Sequence, residues 1–562
     1  MIAAVVHPRG DDEARAVLAR MSRDFTDVRV RSGALVARTE GGAKRSRLEG
    51  DLDLEQANAR SDVGALVALS STRDGGVILA RGSFGGRPLY YARTSEGGWI
   101  ACSEVEPILA ALGTRLPIDV DRIASHVAAA THPEASATSF AGLSRVEPCT
   151  AVELTPGRSR SAVRPSPERS PLDAPLQEIA EEMWRRFALS VKRTVGDARR
   201  VAVMVGGGVD SSGLLAAAVA LLRGASGGEA FALALDFDAD CTDRPFLADL
   251  ARHLDIVPVR LAPREAGPWF GKTLVLDAQP YILCIGPMEQ LVFRRARELG
   301  AEVLLSGYLA DEILAGDPRV LSLEAPLAAI SAAVALQLPW ETTARQRVTD
   351  FVVRPLLKPF VPHALLARSA ARIHAKDFPW AGPRLVEVLA RAREHAATLR
   401  APRTPRERFD RFARDPRYMD FADWRGQVES TTGIVREDPY ASEDLVDLIS
   451  RAPPAALFHD GLHRGLYREA LRGKVPESIR RRITKAWFEP AFAETAEAGG
   501  GLRSLGDLWE PSALGDLDIV DSRAFRRSIE PLLRDPLAPE AGDLWTVGTQ
   551  SVACEAFCRR FR

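Results

Sequence analysis

The sequence predicts an α/β fold, with a β-rich N-terminal part followed by a doubly wound parallel sheet carrying large helical additions. Three observations predict it. Short alternating segments broken by Gly-rich turns fill residues 1 to about 165. Strands then alternate with helices from about 176 to 305, and beyond about 320 the chain is mostly helical.

In order, residues 64–69 and 76–80 read as half-buried strands between glycines. A Pro/Ser/charge-rich stretch over 162–175 reads as an interdomain linker, placed at 166–175 between domains 1–165 and 176–562. A helix is expected from 176 to about 196, a strand over 201–205 and a helix over 213–222. Strand 230–235, a helix over about 244–253, strand 256–260, a helix over about 287–299 and strand 302–305 follow. Such alternation puts ligands at the carboxyl ends of the strands.

At 562 residues the chain is too long for one core. With 46% hydrophobic and 27% charged residues and a net charge of −1, it carries no global field to recruit nucleic acid or an anionic membrane. Its apolar runs are too short to span a membrane, and the N-terminus lacks a secretory pattern, so a cytoplasmic location is expected. Six scattered cysteines read as reduced thiols; Cys554 and Cys558, four apart, read as helix packing rather than a zinc site. Only seven lysines occur, which makes each a less routine choice of cation.

The segment Gly206-Gly207-Gly208-Val209-Asp210-Ser211-Ser212 joins a buried-type strand to an apolar helix. A glycine turn at a helix N-terminus offers unpaired N–H groups to an anion, and the glycines let a phosphate approach the main chain. Ser211 and Ser212 add hydroxyl donors. Asp210 would repel bare phosphate but suits a Mg²⁺ held between carboxylate and phosphate oxygens. No Gly-Lys-Ser/Thr follows, which excludes a Walker loop. A second loop, Ser306-Gly307-Tyr308-Leu309-Ala310-Asp311-Glu312, leaves the strand at 302–305. Ser306 or Asp311 could simply cap a helix. Paired with Asp210, however, Asp311 and Glu312 are expected to clamp Mg²⁺-pyrophosphate.

The first loop resembles the pyrophosphate loop, Ser-Gly-Gly-x-Asp-Ser-Ser, of ATP pyrophosphatases that adenylate their substrates; Gly206 stands where that loop has its first serine. Both loops together resemble the asparagine synthetase superfamily. So do Gly433–Leu445, Arg464–Ala470 and Val475–Phe488, where Arg482, Lys485 and Phe488 match the family's Arg-x-x-Lys-x-x-Phe. The resemblance implies a PP-loop synthetase domain using ATP and Mg²⁺. Lys485 would contact phosphate and stabilise charge developing in acyl transfer, and Arg464 and Arg468 would add phosphate contacts. Adenine would lie against Val203, Val205 and Leu235, by position. Ser306 and Gly307 would complete the nucleotide site.

Residues 80–91, with Arg87-Pro-Leu-Tyr-Tyr91, and Ala101-Cys-Ser-Glu104 resemble the family's glutaminase half, which implies an Ntn-hydrolase-like β-sandwich. That half uses an N-terminal cysteine, whereas position 2 here is Ile2 and the first cysteine is Cys102, so the sandwich is expected to be inactive.

Relatives without the cysteine include β-lactam synthetases and lasso-peptide macrolactam cyclases, which let an amine of the substrate itself attack an acyl-adenylate. Tyr308, three residues before Asp311, matches the tyrosine of a Tyr–Glu dyad in β-lactam synthetases, and Glu341 is the candidate glutamate. Residues 501–509, 517–523 and 543–556 and the helical insert at 320–430 are similar to lasso cyclases. The favoured expectation is lasso-type macrolactam closure in a ribosomal precursor peptide, served by a leader-binding protein and a leader peptidase. The alternatives are closure of a small β-amino acid, glutamine-independent asparagine synthesis and a non-catalytic binding relative.

Overall fold

The computed structural model describes residues 1–562 apart from 23, 40–45, 57–64, 71–74, 84–86, 129–131, 133, 165–169, 225–226, 237–240, 316–325, 336–342, 358–360, 362–377, 399–403, 485 and 487. Lys485 and Glu341 therefore lie outside the described residues. The fold is mixed α/β, with two largely antiparallel sheets and one parallel sheet.

The first sheet runs β2(Phe25–Arg31)–β3(Ala34–Thr39)–β1(Ile2–Val6)–β8(Trp99–Cys102)–β7(Tyr90–Arg93)–β9(Leu143–Arg145). The second runs β11(Arg158–Val163)–β10(Thr150–Thr155)–β6(Val77–Arg81)–β5(Ala65–Ser70)–β4(Ser46–Leu52), antiparallel except for β4 beside β5. Alternation along β1 explains how they pack. Ile2, Ala4 and Val6 meet Val67, Val77, Leu79, Val152 and Leu154 between the sheets. Ala3 and Val5 face the other way, onto Val17 and Leu18 of the helix Asp11–Met21 and Ile108 of the helix Val105–Leu112. Each β1 residue is thus buried whichever face it takes.

The third sheet is parallel throughout, in the order β14(Val259–Leu261)–β13(Glu229–Leu235)–β12(Arg200–Met204)–β17(Val303–Leu305)–β18(Arg436–Glu437). Ala202, Leu233 and Leu304 point toward Leu291 and Val292 of the helix Gly286–Glu298. Val201, Val203 and Leu305 point the opposite way, toward Leu214 and Leu215 of the helix Val209–Arg223 and Phe187 of the helix Leu176–Val195. Chain order reverses between β12 and β17, and at such a switch point the strand ends splay apart to leave a crevice. Both expected loops leave strands at this point.

Two differences from the sequence reading have local causes. Strand β14 begins at Val259 rather than at 256, because Pro258 has no N–H for a ladder. Strand β18 is the charged pair Arg436–Glu437, which carries no apolar signature; both side chains are nonetheless buried, Arg436 beside Glu289 at 2.8 Å. A two-residue hairpin, β15(Val275–Leu276) and β16(Gln279–Pro280), turns at Asp277 and Ala278, both in the left-handed region. Asp277 reaches across to cap the Val105–Leu112 helix, accepting from Val105 N–H at 2.8 Å and Glu106 N–H at 2.9 Å.

The helix Pro416–Thr432 holds the N-terminal sheets by charge. Arg145 Nη1 donates to Asp420 at 2.7 Å and to Asp423 at 2.8 Å. Arg81 reaches Asp423 at 3.3 Å, Arg122 pairs with Asp420, and Arg87 pairs with Glu429. The helix Gly542–Phe561 packs on the same part, with Phe557 and Phe561 edge-on to Phe140 at 5.3 Å each. All six cysteines are free and buried, and Cys554 and Cys558 pack into the core from this last helix. Among the described residues no helix is long and apolar enough to cross a membrane.

Candidate functional site

Strand β12 delivers Val205 into the loop, held by its N–H to Leu233 O at 2.9 Å. The helix Val209–Arg223 then starts at once, its first N–H groups facing the crevice. Ser211 shapes the turn: its hydroxyl accepts from Gly206 N–H at 3.1 Å and lies 3.2 Å from Gly206 O. Ser212 is fully buried, and its Oγ has no partner among the described residues. The loop is braced from behind by two tyrosines that sequence reasoning missed. Tyr440 donates to Asp210 O at 2.8 Å, its hydroxyl meets that of Tyr467, and Phe187 stacks on its ring at 4.6 Å. Tyr467 fits because residue 213 is glycine; a Cβ there would run into the phenol. Both tyrosines stand in the 433–445 and 464–470 segments that resemble the superfamily, and nothing in those segments gives their partner.

The second loop is placed by a buried polar chain. Ser306 N–H joins Glu437 O at 3.0 Å, and Ser306 Oγ donates to Asp438 at 2.9 Å while accepting from Tyr308 N–H at 3.0 Å. Asp438 is paired with Arg425, whose guanidinium burial, then Arg436 nearby, push down to about 10. Arg436 lies 5.6 Å from the Tyr308 ring centroid. Leu309 turns left-handed, φ 68°, and starts the short helix Ala310–Leu314 carrying Asp311 and Glu312. The loops touch: a Cβ on Gly307 would lie 3.6 Å from Ser211 N and 3.9 Å from Asp210 Cβ.

Arg464 brings the two acids together. Its Nη1 pairs with Asp210 and its Nη2 with Asp311, from a side chain only 6% exposed. Both carboxylates therefore share one small space. Asp210 Oδ1 is buried without a partner there, as is Arg464 Nε. Among the described residues no cluster of three His, Cys, Asp or Glu gathers, but Mg²⁺ typically takes one or two carboxylates and fills the rest with phosphate and water oxygens. Asp210 and Asp311 fit that donor set. Glu312 is fixed through its main chain, where its carbonyl accepts from Arg408 at 2.9 Å.

Arg468, expected beside the phosphates, is spent elsewhere. It donates to His463 O at 2.8 Å, Arg480 O at 2.5 Å and Arg482 O at 2.8 Å, bracing the segment that leads to Lys485. Burial, then Arg464 close by, push it down to about 10. Val203 and Val205 are buried at the carboxyl end of β12, and Leu235 ends the neighbouring β13.

Among the described residues, four buried polar atoms in or beside the Gly206–Ser212 loop have no hydrogen-bond partner: Asp210 Oδ1, Ser212 Oγ, Arg464 Nε and Arg482 Nη2. Native proteins pair nearly all such atoms, with protein, water or a bound group, so these four leave hydrogen bonds here for water or a polar ligand to complete.

Comparison with protein families gives two matches, asparagine synthase over residues 183–555 and a glutamine amidotransferase domain over residues 64–163. The first covers both loops, Arg464 and Arg482. The chain belongs to the asparagine synthase family. That makes it an ATP-dependent amide-forming ligase, of a family that uses ATP, typically with Mg²⁺. The comparison with curated proteins returned no match.

Proposed function

We propose that this ligase adenylates a carboxylate of its substrate, releases pyrophosphate and closes an intramolecular amide, a lasso-type macrolactam in a ribosomal precursor peptide. The four orphaned polar atoms at the glycine loop carry the nucleotide part of this reading. Loop N–H groups and Ser212 bind pyrophosphate oxygens, while Ser211 keeps the turn in shape. Asp210 and Asp311 would hold Mg²⁺, which supplies neutralising charge to the phosphates when bound. Glu312 adjoins that pair. Arg464, released from the two acids, donates to phosphate, and Lys485 stabilises negative charge developing at the acyl centre.

On this reading the substrate's own amine is the nucleophile, supported by Ile2 standing where the resembling glutaminase half has its cysteine. Ile2 opens β1 with a fully buried hydrocarbon side chain. Cys102, on β8 beside it, is also fully buried, and burial raises its thiol well above the ordinary range. Arg87, in the stretch that resembles the glutaminase, is committed to Glu429.

Tyr308 supports a second reading, closure of a small β-amino acid, with Tyr308 and Glu341 as the proton-accepting dyad. Its ring lies 5.6 Å from the Arg436 guanidinium.

ATP–pyrophosphate exchange with Mg²⁺, on wild type and Asp210→Ala, tests the proposal against a panel of precursor peptides and β-amino acids. Exchange should require a peptide carrying its acceptor carboxylate and should vanish in the variant. Exchange with β-amino acids alone would replace the peptide reading by the second one. Amidation that needs ammonium would indicate asparagine synthesis. Absence of exchange even with a leader-binding protein added would indicate a binding relative.

A further inference from the structure

Position 206 is glycine where the resembling loop has serine, and the structure shows what uses the room. A Cβ on Gly206 would lie 2.7 Å from Asp243 Oδ2, well inside van der Waals contact. Asp243 in turn holds Arg482: Nη1 donates to Asp243 Oδ1 at 2.7 Å, and Nε donates to Thr484 Oγ1 at 3.0 Å. The guanidinium stacks 4.0 Å over the Phe246 ring and lies directly above Gly207, where any Cβ would collide with it. Its side chain is 3% exposed, yet among the described residues Nη2 has no hydrogen-bond partner. A dry cation with one whole edge unsatisfied costs stability unless an anion completes it.

We propose that Asp243 is a positioning residue that aims Arg482 at the pyrophosphate, and that Gly206 is the substitution that admits it. The room at Gly206 lets Asp243 and the guanidinium it holds lie against the loop. Of the five Arg482 N–H groups, one is fixed by Thr484 and one by Asp243, which leaves both N–H groups of Nη2 to donate to ligand oxygens. This rests on the loop being the pyrophosphate site proposed above.

The test uses the full-length chain with Mg²⁺ and two probes, inorganic pyrophosphate and AMP, in isothermal titration calorimetry. If Asp243 only contributed its charge, Asp243→Ala would tighten pyrophosphate binding, because a carboxylate beside an anion site repels it. Positioning predicts the reverse: a roughly tenfold or greater loss for pyrophosphate, with AMP within about twofold of wild type. Gly206→Ser should weaken pyrophosphate similarly, since its Cβ displaces Asp243. Because both changes act through the position of Arg482, the double variant Gly206→Ser/Asp243→Ala should bind pyrophosphate no more weakly than the weaker single variant, with AMP still within about twofold of wild type. Tighter binding by Asp243→Ala, or losses that add in the double variant, overturns the inference and leaves the pyrophosphate site standing. Failure of wild type to bind pyrophosphate overturns both.

Discussion

Replacing Asp420 by alanine would strand a buried guanidinium. Asp420 lies on the helix Pro416–Thr432 and faces Arg122 and Arg145, whose side chains are each 2% exposed. Burial opposes its charge, yet Arg122 and Arg145 hold the carboxyl well below the usual carboxylate range. In the variant Arg145 keeps Asp423 at 2.8 Å, whereas Arg122 loses the carboxylate it pairs with. Breaking a buried ion pair from one side costs about 3–5 kcal/mol. At about 2–4 °C per kcal/mol for a domain of roughly 150–250 residues, the unfolding midpoint should fall by roughly 6–20 °C. Urea titration and calorimetry on wild type, Asp420→Ala and Arg122→Met/Asp420→Leu would measure it. The double variant removes both charges and should lose less than Asp420→Ala alone. A loss under about 1 kcal/mol for Asp420→Ala would refute the reasoning, since it would mean that water reaches the pair.

Gly213→Ala should cost about 1–3 kcal/mol, because the added methyl meets the Tyr467 phenol behind the loop; an unchanged unfolding midpoint would show that the aromatic brace yields freely. Arg464→Met should raise the affinity for Mg²⁺ alone several-fold in calorimetry, since the guanidinium occupies the space that Asp210 and Asp311 share, and should lower ATP–pyrophosphate exchange by about 100-fold. Equal Mg²⁺ affinity in the variant would separate the two acids from the metal. Burial, with Arg122 next, pushes His126 down to about 3 from an ordinary 6.5. Between those values the unfolded chain takes up a proton that the folded chain refuses, so stability falls on acidification, by about 2 kcal/mol from pH 6.5 to 5. His126→Gln should flatten that slope in urea titrations at several pH values, and an unchanged slope would assign the effect to other groups.

The parallel sheet and its two loops were legible because their signals are local. An unbroken apolar run ends at Val205, glycines follow, and a second apolar strand ends at Leu305 before Ser306 and Gly307. Boundaries at β12 and β13 moved by a single residue for the same reason. What sequence could not supply was pairing at long range. Arg122, Arg145 and Arg81 meet their partners across 298, 275 and 342 positions, and on paper each reads as a solvated charge. Strand β18 was invisible because Arg436 and Glu437 are stabilised by ion pairs and main-chain bonds rather than by apolar packing. The contacts of Arg468 were hidden for a related reason: nothing in a helical arginine says that it will donate to three carbonyls of its own chain.

The helix Gly542–Phe561 gives these contacts an order in time. During translation the strands of residues 2–163 leave the ribosome long before the helix that covers Phe140, and before Asp420 and Asp423 can meet their arginines. Until then this half carries an uncovered apolar face and unpaired buried-type cations, a state open to aggregation or to capture by chaperones. Release of the helix Gly542–Phe561, rather than synthesis of the two glycine loops, would set the moment at which this half becomes safe from both.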